Sequence, residues 1–591
     1  MSRAASSQNG RRSILRNLLT SRFPVTLGIA IAIAVAAAPT VADDAIFSER
    51  SKALGVEFHH FSGATGEYYF PEINGAGAAL FDYDDDGDLD LFLVQGALLD
   101  PAASVDDALF PPASGQPVCD ELYRNDSPTG APGTRGERRF VRVTPASGID
   151  GCSYGTGVTV GDYDADGWDD LYVSHYGSNR LWRNRGDGTF EDVTAASGAG
   201  EDRWSAAAAF FDYDRDGYLD LYVGNYADFR VANRRRCFAQ AGYPDYCGPK
   251  SYQPEPDRLL RNRGDGTFEE TTLKAWPTRD YGYALGAIPA DFDGDGWLDL
   301  YVANDQVPNQ LWINQRDGTF RNDALLSGCA VNAQGHPEAS MGVDAGDFDG
   351  DGDLDLFMTH VVNETNTLFV NDGTGLFEDR SVASGLGASS WRATGFGTAF
   401  LDYDNDGWLD LLAVNGGVTI QEELVARGDP FPFGQRDLLF RNLGNGRFAD
   451  VSGDGGPAFE ATHVGRGAAF GDLDNDGDVD VVIHNNSGPA EILINEVGNR
   501  NAWTGLRLLG GPGGRDQLGA LAGAIPAEGA PLWRLTRAAG SYASSNDPRV
   551  LFGLGQGGPA RFEVRWADGR ASSWRALPDR RYVILRQTVG H

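Results

Sequence analysis

One nine-residue phrase, Asp-x-Asp-x-Asp-Gly-x-x-Asp, occurs seven times, starting at Asp82, Asp162, Asp212, Asp291, Asp347, Asp402 and Asp472. Nothing else restricts the fold as much, because a recurring unit of this length is one supersecondary element that buries its apolar faces against its neighbours. The intervals are 80, 50, 79, 56, 55 and 70 residues, so units of 50 to 56 set the period and the longer ones carry extra loops. The phrase also has a fixed setting. A run of small and apolar residues precedes it, as in Ala206–Phe211, and a β-type run follows, as in Leu221-Tyr222-Val223 or Leu300-Tyr301-Val302. A second such run comes next (Arg180–Asn184, Arg258–Asn262, Gln310–Asn314). Then a Gly-Asp-Gly turn leads to a third, Phe190-Glu191-Asp192-Val193. Turns of this composition between alternating apolar runs form hairpins. Each unit therefore predicts four short antiparallel strands, the pattern of a propeller blade. The fold class expected is all-β, a seven-bladed β-propeller with calcium loops and a small C-terminal β-domain.

The chain ends predict how the ring closes. The last unit supplies Glu491–Asn495 but lacks the strand that should follow, whereas Ile46-Phe47-Ser48-Glu49 aligns with Thr189-Phe190-Glu191-Asp192. The N-terminal segment is expected to complete the last blade and so remove two open sheet edges. Four insertions, near 95–119, 126–138, 226–256 and 416–436, are rich in Gly, Pro and polar residues. The third holds Cys237, Cys247 and several aromatics, which makes it the best candidate for a shaped functional loop.

The phrase itself predicts a metal site. Calcium takes roughly six to eight hard oxygen ligands, and a tightly coiled loop turns alternate side chains toward one centre. The expected ligands are Asp82, Asp84, Asp86 and Asp90; Asp162, Asp164, Asp166 and Asp170; Asp212, Asp214, Asp216 and Asp220; Asp291, Asp293, Asp295 and Asp299; Asp347, Asp349, Asp351 and Asp355; Asp402, Asp404, Asp406 and Asp410; and Asp472, Asp474, Asp476 and Asp480. The Gly at the sixth position permits the sharp turn. The backbone carbonyl of Asp88 would be a further ligand, and Asp90 would close its loop with both oxygens. The logic is that of an EF-hand loop shortened by about three residues, but the flanks are strands rather than helices. A single match could be a plain acidic turn; seven with every Asp and Gly intact point to about seven Ca2+. The ions are expected to be structural, because four carboxylates in a tight loop repel one another without a cation.

Charge and composition narrow the function. The net charge of −35 argues against general binding to nucleic acid or anionic membrane. Residues 1–42 predict an export signal: Arg3, Arg11, Arg12, Arg16 and Arg22 precede an apolar run from Phe23 to Ala38, and Thr40-Val41-Ala42 is a small-residue cleavage site. Arg11-Arg12 leaves twin-arginine and Sec export both open, with a retained anchor as a lesser alternative. Cleavage would take the charge from −35 to −40, and seven Ca2+ would bring it to −26. No later stretch is apolar enough to span a bilayer. Export permits disulfides: Cys237–Cys247 and Cys119–Cys152 are the expected pairs, and Cys329 is left as a buried thiol.

The seven phrases resemble FG-GAP/VCBS repeats, whose calcium loops in integrin α-subunit propellers lie between strands. Gly55-Val56-Glu57-Phe58-His59-His60-Phe61-Ser62-Gly63-Ala64 resembles the opening of the cartilage acidic protein-like family. Arg515–Ala520, Ser541–Arg549, Leu551–Gly555 and Val564–Arg570 resemble the ASPIC/UnbV domain. The implied organisation is a signal (1–42), a propeller (43–500) and an ASPIC/UnbV-like β-domain (501–591). The resemblance implies an exported or surface calcium-binding protein linked to adhesion, and it implies no reaction. Pro526 departs from the pattern, standing where a continuous strand is expected, which predicts an edge strand or a bulge.

Catalytic signatures are sparse. There are eight His and no G-x-S-x-G, H-E-x-x-H or P-loop. His59 and His60 could line a site, but neighbours in a strand face opposite ways. His360 and His484 follow β-runs, where packing or hydrogen bonding is the simpler role. The aromatics at the seventh motif position (Trp168, Tyr218, Trp297, Trp408) either rim a sugar site or cover the adjacent loop. The function expected is an extracytoplasmic binding or adhesion scaffold, monomeric, for a protein or glycan partner, located in the periplasm, at the cell surface or secreted. The alternative is a calcium-stabilised enzyme acting on polysaccharide.

Overall fold

The computed structural model describes residues 45–587, apart from 113–116, 127–138, 279, 528, 556, 560 and 576. The expected export signal and most of the 126–138 insertion lie outside the described residues.

Seven antiparallel sheets of four strands follow one another along the chain. In the second, Gly155–Gly161, Asp170–His175, Arg180–Asn184 and Phe190–Asp192 pair in sequence order, and five of the others repeat that order. The last sheet draws Phe47–Glu49 from the start of the chain, with Phe47 opposite Asn495 and Glu49 opposite Leu493. The first strands of the sheets stand side by side. Ala78–Phe81 neighbours Gly155–Gly161, the series runs on through Ser205–Phe211, Ala284–Ala290, Val343–Gly346 and Gly395–Leu401 to Gly465–Gly471, and that strand returns to Ala78–Phe81. The result is an all-β, propeller-like fold. Its core lies between sheets: Leu171, Val173 and Trp182 pack with Phe81, Phe92 and Leu122, and each interface repeats this with its own residues.

Each Asp-rich phrase is the loop joining the first two strands of a sheet. Its sixth residue is a glycine with φ between 88° and 101° in every repeat, a conformation that disfavours any side chain. The fourth residue is left-handed as well, and there five repeats carry Asp85, Ala165, Arg215, Asn405 or Asn475 with φ between 51° and 59°.

The C-terminal segment adds two sheets. Ala502–Gly510 lies between Val550–Gly555 and the parallel strand Tyr582–Arg586, and also pairs with Arg515–Asp516. Leu521–Ile525 lies between Leu532–Leu535 and Arg561–Arg565. Leu506, Phe552, Phe562, Val564 and Trp566 form the core between them. Pro526 falls just past Leu521–Ile525, which is internal to its sheet, so the expectation of an edge or bulged strand is corrected: the strand ends before the missing N–H matters. Both expected disulfides are present and Cys329 is a buried thiol. No helix among the described residues is long and apolar enough to cross a membrane.

Candidate functional site

The geometry of the seven loops repeats closely. The first Asp accepts the N–H of the sixth-position Gly at 2.9–3.2 Å in all seven. The ninth Asp accepts two backbone N–H groups, one per oxygen. One comes from the second residue of its own loop and the other from an Asn ending the third strand, as in Tyr163 N–H and Asn184 N–H on Asp170. The expected ligands are thereby held in fixed places. In at least five loops carboxylate oxygens converge within 4.8 Å of one another: Asp82, Asp84 and Asp86; Asp162, Asp164 and Asp170; Asp212, Asp214 and Asp220; Asp291, Asp293 and Asp295; and Asp347, Asp349 and Asp351.

The electrostatics are those of sites arranged for a cation. Burial pushes the ninth-position carboxyls, such as Asp170 and Asp220, well above the usual range. It also raises Asp162 to about 6 and Asp402 to about 7, with neighbouring Asp charges adding to the rise. Asp84 Oδ1, Asp164 Oδ1, Asp212 Oδ1 and Asp349 Oδ1 are buried without a hydrogen-bond partner. An all-oxygen donor set with unsatisfied carboxylate oxygens fits a hard divalent ion such as Ca2+, which would supply the missing positive charge. Third-strand arginines share some of these acids, as Arg183 does Asp164 (2.6 Å) and Arg441 does Asp404 (3.0 Å).

The Asn residues that end the third strands were not assigned a role from sequence. Each uses its side-chain N–H2 twice: once on the eighth-position carbonyl of its own loop, and once on the second-position carbonyl of the preceding loop. Asn184 Nδ2 reaches Tyr83 O at 2.8 Å and Asn262 reaches Tyr163 O at 2.7 Å; Asn125 closes the ring on Leu473 O at 3.2 Å. The loops are therefore linked from sheet to sheet. The seventh-position aromatics cover adjacent hairpins: a side chain at Gly186, Gly264 or Gly444 would run into Trp168, Tyr218 or Trp408. Trp297 lies under the Arg215 guanidinium at 4.2 Å. His60 is buried against His484, with ring centroids 4.6 Å apart, while His59 is exposed, so both buried rings serve packing.

The C-terminal sheets dock on the loop face through arginines. Arg515 Nη2 donates to Gly217 O (2.7 Å), Arg534 Nη2 to Gly407 O (3.0 Å) and Arg549 Nη2 to Asp472 O (3.0 Å). Between these contacts the stretch Ser541–Asp547 enters the ring. Its backbone pairs with Val343, Val158, Leu80 and Phe470, and Ser541 Oγ bridges Thr398 N–H and Ala468 O. A side chain at Gly77 would come within 1.7 Å of Ala543 O, so this close approach requires glycine.

At the other ends of the strands the insertions meet. The 226–256 loop, braced by Cys237–Cys247, touches the 416–436 loop through Tyr246 on Phe433 (5.7 Å) and through Ile420 N–H on Asp245. Phe110 of the 95–119 loop packs on Phe431 at 5.0 Å. Together with Phe70, Trp204, Tyr226, Phe229, Tyr252 and Phe396 they surround an aromatic cluster.

The model of the FG-GAP-like repeat matches residues 162–223, 241–302, 291–358, 347–413 and 423–483. The chain belongs to the FG-GAP repeat family. An ASPIC and UnbV model matches residues 510–591, which take in the stretch inside the ring and the docked sheets apart from most of the strand Ala502–Gly510. Cartilage acidic protein 1 of Homo sapiens is 28% identical over 181 residues, 29% of this chain and 26% of that protein; the Mus musculus protein is also 28% identical, over 29% and 27%. The FG-GAP chain thus spans about a quarter of the length of these relatives. Among solved structures, an Agrocybe aegerita lectin described as recognising non-reducing terminal N-acetylglucosamine is 19% identical over 58% of this chain and 81% of its own, with a TM-score of 0.32. A putative exo-β-1,3-galactanase from Bifidobacterium bifidum is 11% identical over 50% and 90%, with a TM-score of 0.29. Overlaps this low carry no functional argument.

Proposed function

We propose that the chain is an exported, calcium-stabilised adhesion-type scaffold that binds a protein or glycan outside the cytoplasm. The carrying observation is that three insertions, from three different sheets, converge on one aromatic cluster at the ends of the strands away from the Asp loops. Rigid scaffolds carry binding residues on such loops; the cluster itself is buried and fixes the loops, while Phe238 and Tyr243 of the 226–256 loop are exposed and offer aromatic contact area. In this reading residues 1–42 direct export, 43–500 form the propeller, 501–591 the docked β-domain, and the chain works as a monomer. Each loop holds one Ca2+ through the Asp residues at its first, third, fifth and ninth positions. The relatives named for cartilage acidic protein are consistent with an extracellular setting.

The test is a screen of glycans and extracellular proteins in calcium, with the intact protein beside a variant in which residues 230–251 are replaced by a short Gly-Ser linker. Partner capture by the intact protein that the variant loses supports the reading. Equal capture by a variant of unchanged melting temperature overturns it.

A further inference from the structure

Within the aromatic cluster lies a cavity of about 310 Å³, in the size range of small-ligand sites. Its walls include Phe70, Tyr226, Tyr246, Phe396 and Met341, and its charged lining residue is Asp305. Asp305 is 7% exposed. Its Oδ2 accepts the Tyr226 hydroxyl at 2.5 Å, and its Oδ1 is buried with no hydrogen-bond partner. Among the described residues no Arg or Lys lies within ion-pair distance of it. Lys250 lies near enough to bias its charge but is itself exposed. The buried guanidinium of Arg466, which lies over the ring of Phe396, is committed to the carbonyls of Ile73, Gly416, Gly465 and Gly417.

A carboxylate left buried with an unsatisfied oxygen is costly unless a donor meets it. Any donor that meets Asp305 here shares a space walled by Phe70, Tyr226, Tyr246 and Phe396. A cation suits that space on three counts: the carboxylate pairs with it, aromatic faces attract it, and a chain of net charge −35 concentrates cations around itself. Neutral polar side chains line it as well, among them Asn74, Gln306, Asn363 and Thr419, so N-acetylglucosamine is the competing ligand in the test; the unpaired carboxylate oxygen is what favours a cation over a sugar.

We propose that the cavity binds a primary ammonium group carried on an alkyl chain, of the kind a lysine side chain presents, with Asp305 as its counter-ion. The proposal rests on the reading of this face as the binding surface and names the chemistry that it accepts.

The experiment is calorimetric titration of the calcium-loaded full chain with n-pentylammonium chloride, alongside n-pentanol and N-acetylglucosamine. Saturable binding of the ammonium, at least about tenfold tighter than the alcohol, is expected. Asp305→Asn should weaken it by about tenfold or more with no fall in melting temperature. Val361→Trp, which fills the cavity from its rim, should block it and serves if the first variant folds poorly. Equal affinity for alcohol and ammonium, binding unaffected by both variants, or saturable N-acetylglucosamine binding in place of the ammonium overturns the assignment. Loss of the ammonium signal while loop-dependent partner capture persists overturns the cavity assignment alone. Ammonium binding without such capture overturns only the wider reading.

Discussion

The asparagines ending the third strands carry more structure than their position suggests. Asn184 satisfies both Tyr83 O of the previous loop and Asp169 O of its own. Asn184→Ala would orphan two carbonyls at once, and each lost buried partner costs about 1–3 kcal/mol. Thermal unfolding should therefore show a clear drop in melting temperature, whereas Arg185→Ala on the exposed hairpin should leave it unchanged. Buried carboxyls away from the loops set a pH dependence. Burial raises Asp120 to about 8 and Asp437 to about 8. For an acid, a folded value above the unfolded one means that the native state holds the proton longer. Their contribution is complete at pH below the unfolded value and is lost as pH rises through about 8. The buried histidines His175 and His484, both lowered to about 4, act with opposite sign and only below their unfolded value. Melting temperature should therefore fall from pH 6.5 to about 8 and level off above it as far as these two groups are concerned, and Asp120→Asn should flatten that slope.

At the scale of elements, the Asp loop is the unit. Asp164→Asn removes one charged oxygen donor from a site whose Asp164 Oδ1 has no partner. Metal analysis should find one fewer tightly held Ca2+ per chain, with the other loops still loaded. Much of this element was legible in the sequence because its information is local. The Gly at the sixth position, the alternation around it and the turn after the third strand all lie within one repeat. The closing strand Phe47–Glu49 was legible because its pattern copies Phe190–Asp192. The left-handed fourth residue was not, since Ala165 and Arg215 give no sign of it. Nor was the Asn link, because Asn125 and Leu473 are 348 residues apart and no local pattern records their pairing.

At the scale of the whole molecule, the C-terminal sheets and the Asp loops depend on each other. Arg515, Arg534 and Arg549 read the backbone of loops that calcium would shape, and Ser541–Asp547 pairs with strands inside the ring. The sequence marked Ser541–Arg549 as a family signature but could not place it in the channel, since its partners are main-chain groups of distant repeats. Arg515→Ala with Arg534→Ala should loosen the docking, so that limited proteolysis cuts near residue 500 sooner while bound calcium is unchanged. Chelation should produce the same cut in the unaltered chain.

Metal content and unfolding, measured together on the purified protein with and without a calcium chelator, test the account most directly. It predicts about seven Ca2+ per chain, one for each Asp phrase, and a large fall in melting temperature when they are removed. Protein that holds no divalent ion and melts at the same temperature in chelator would contradict it.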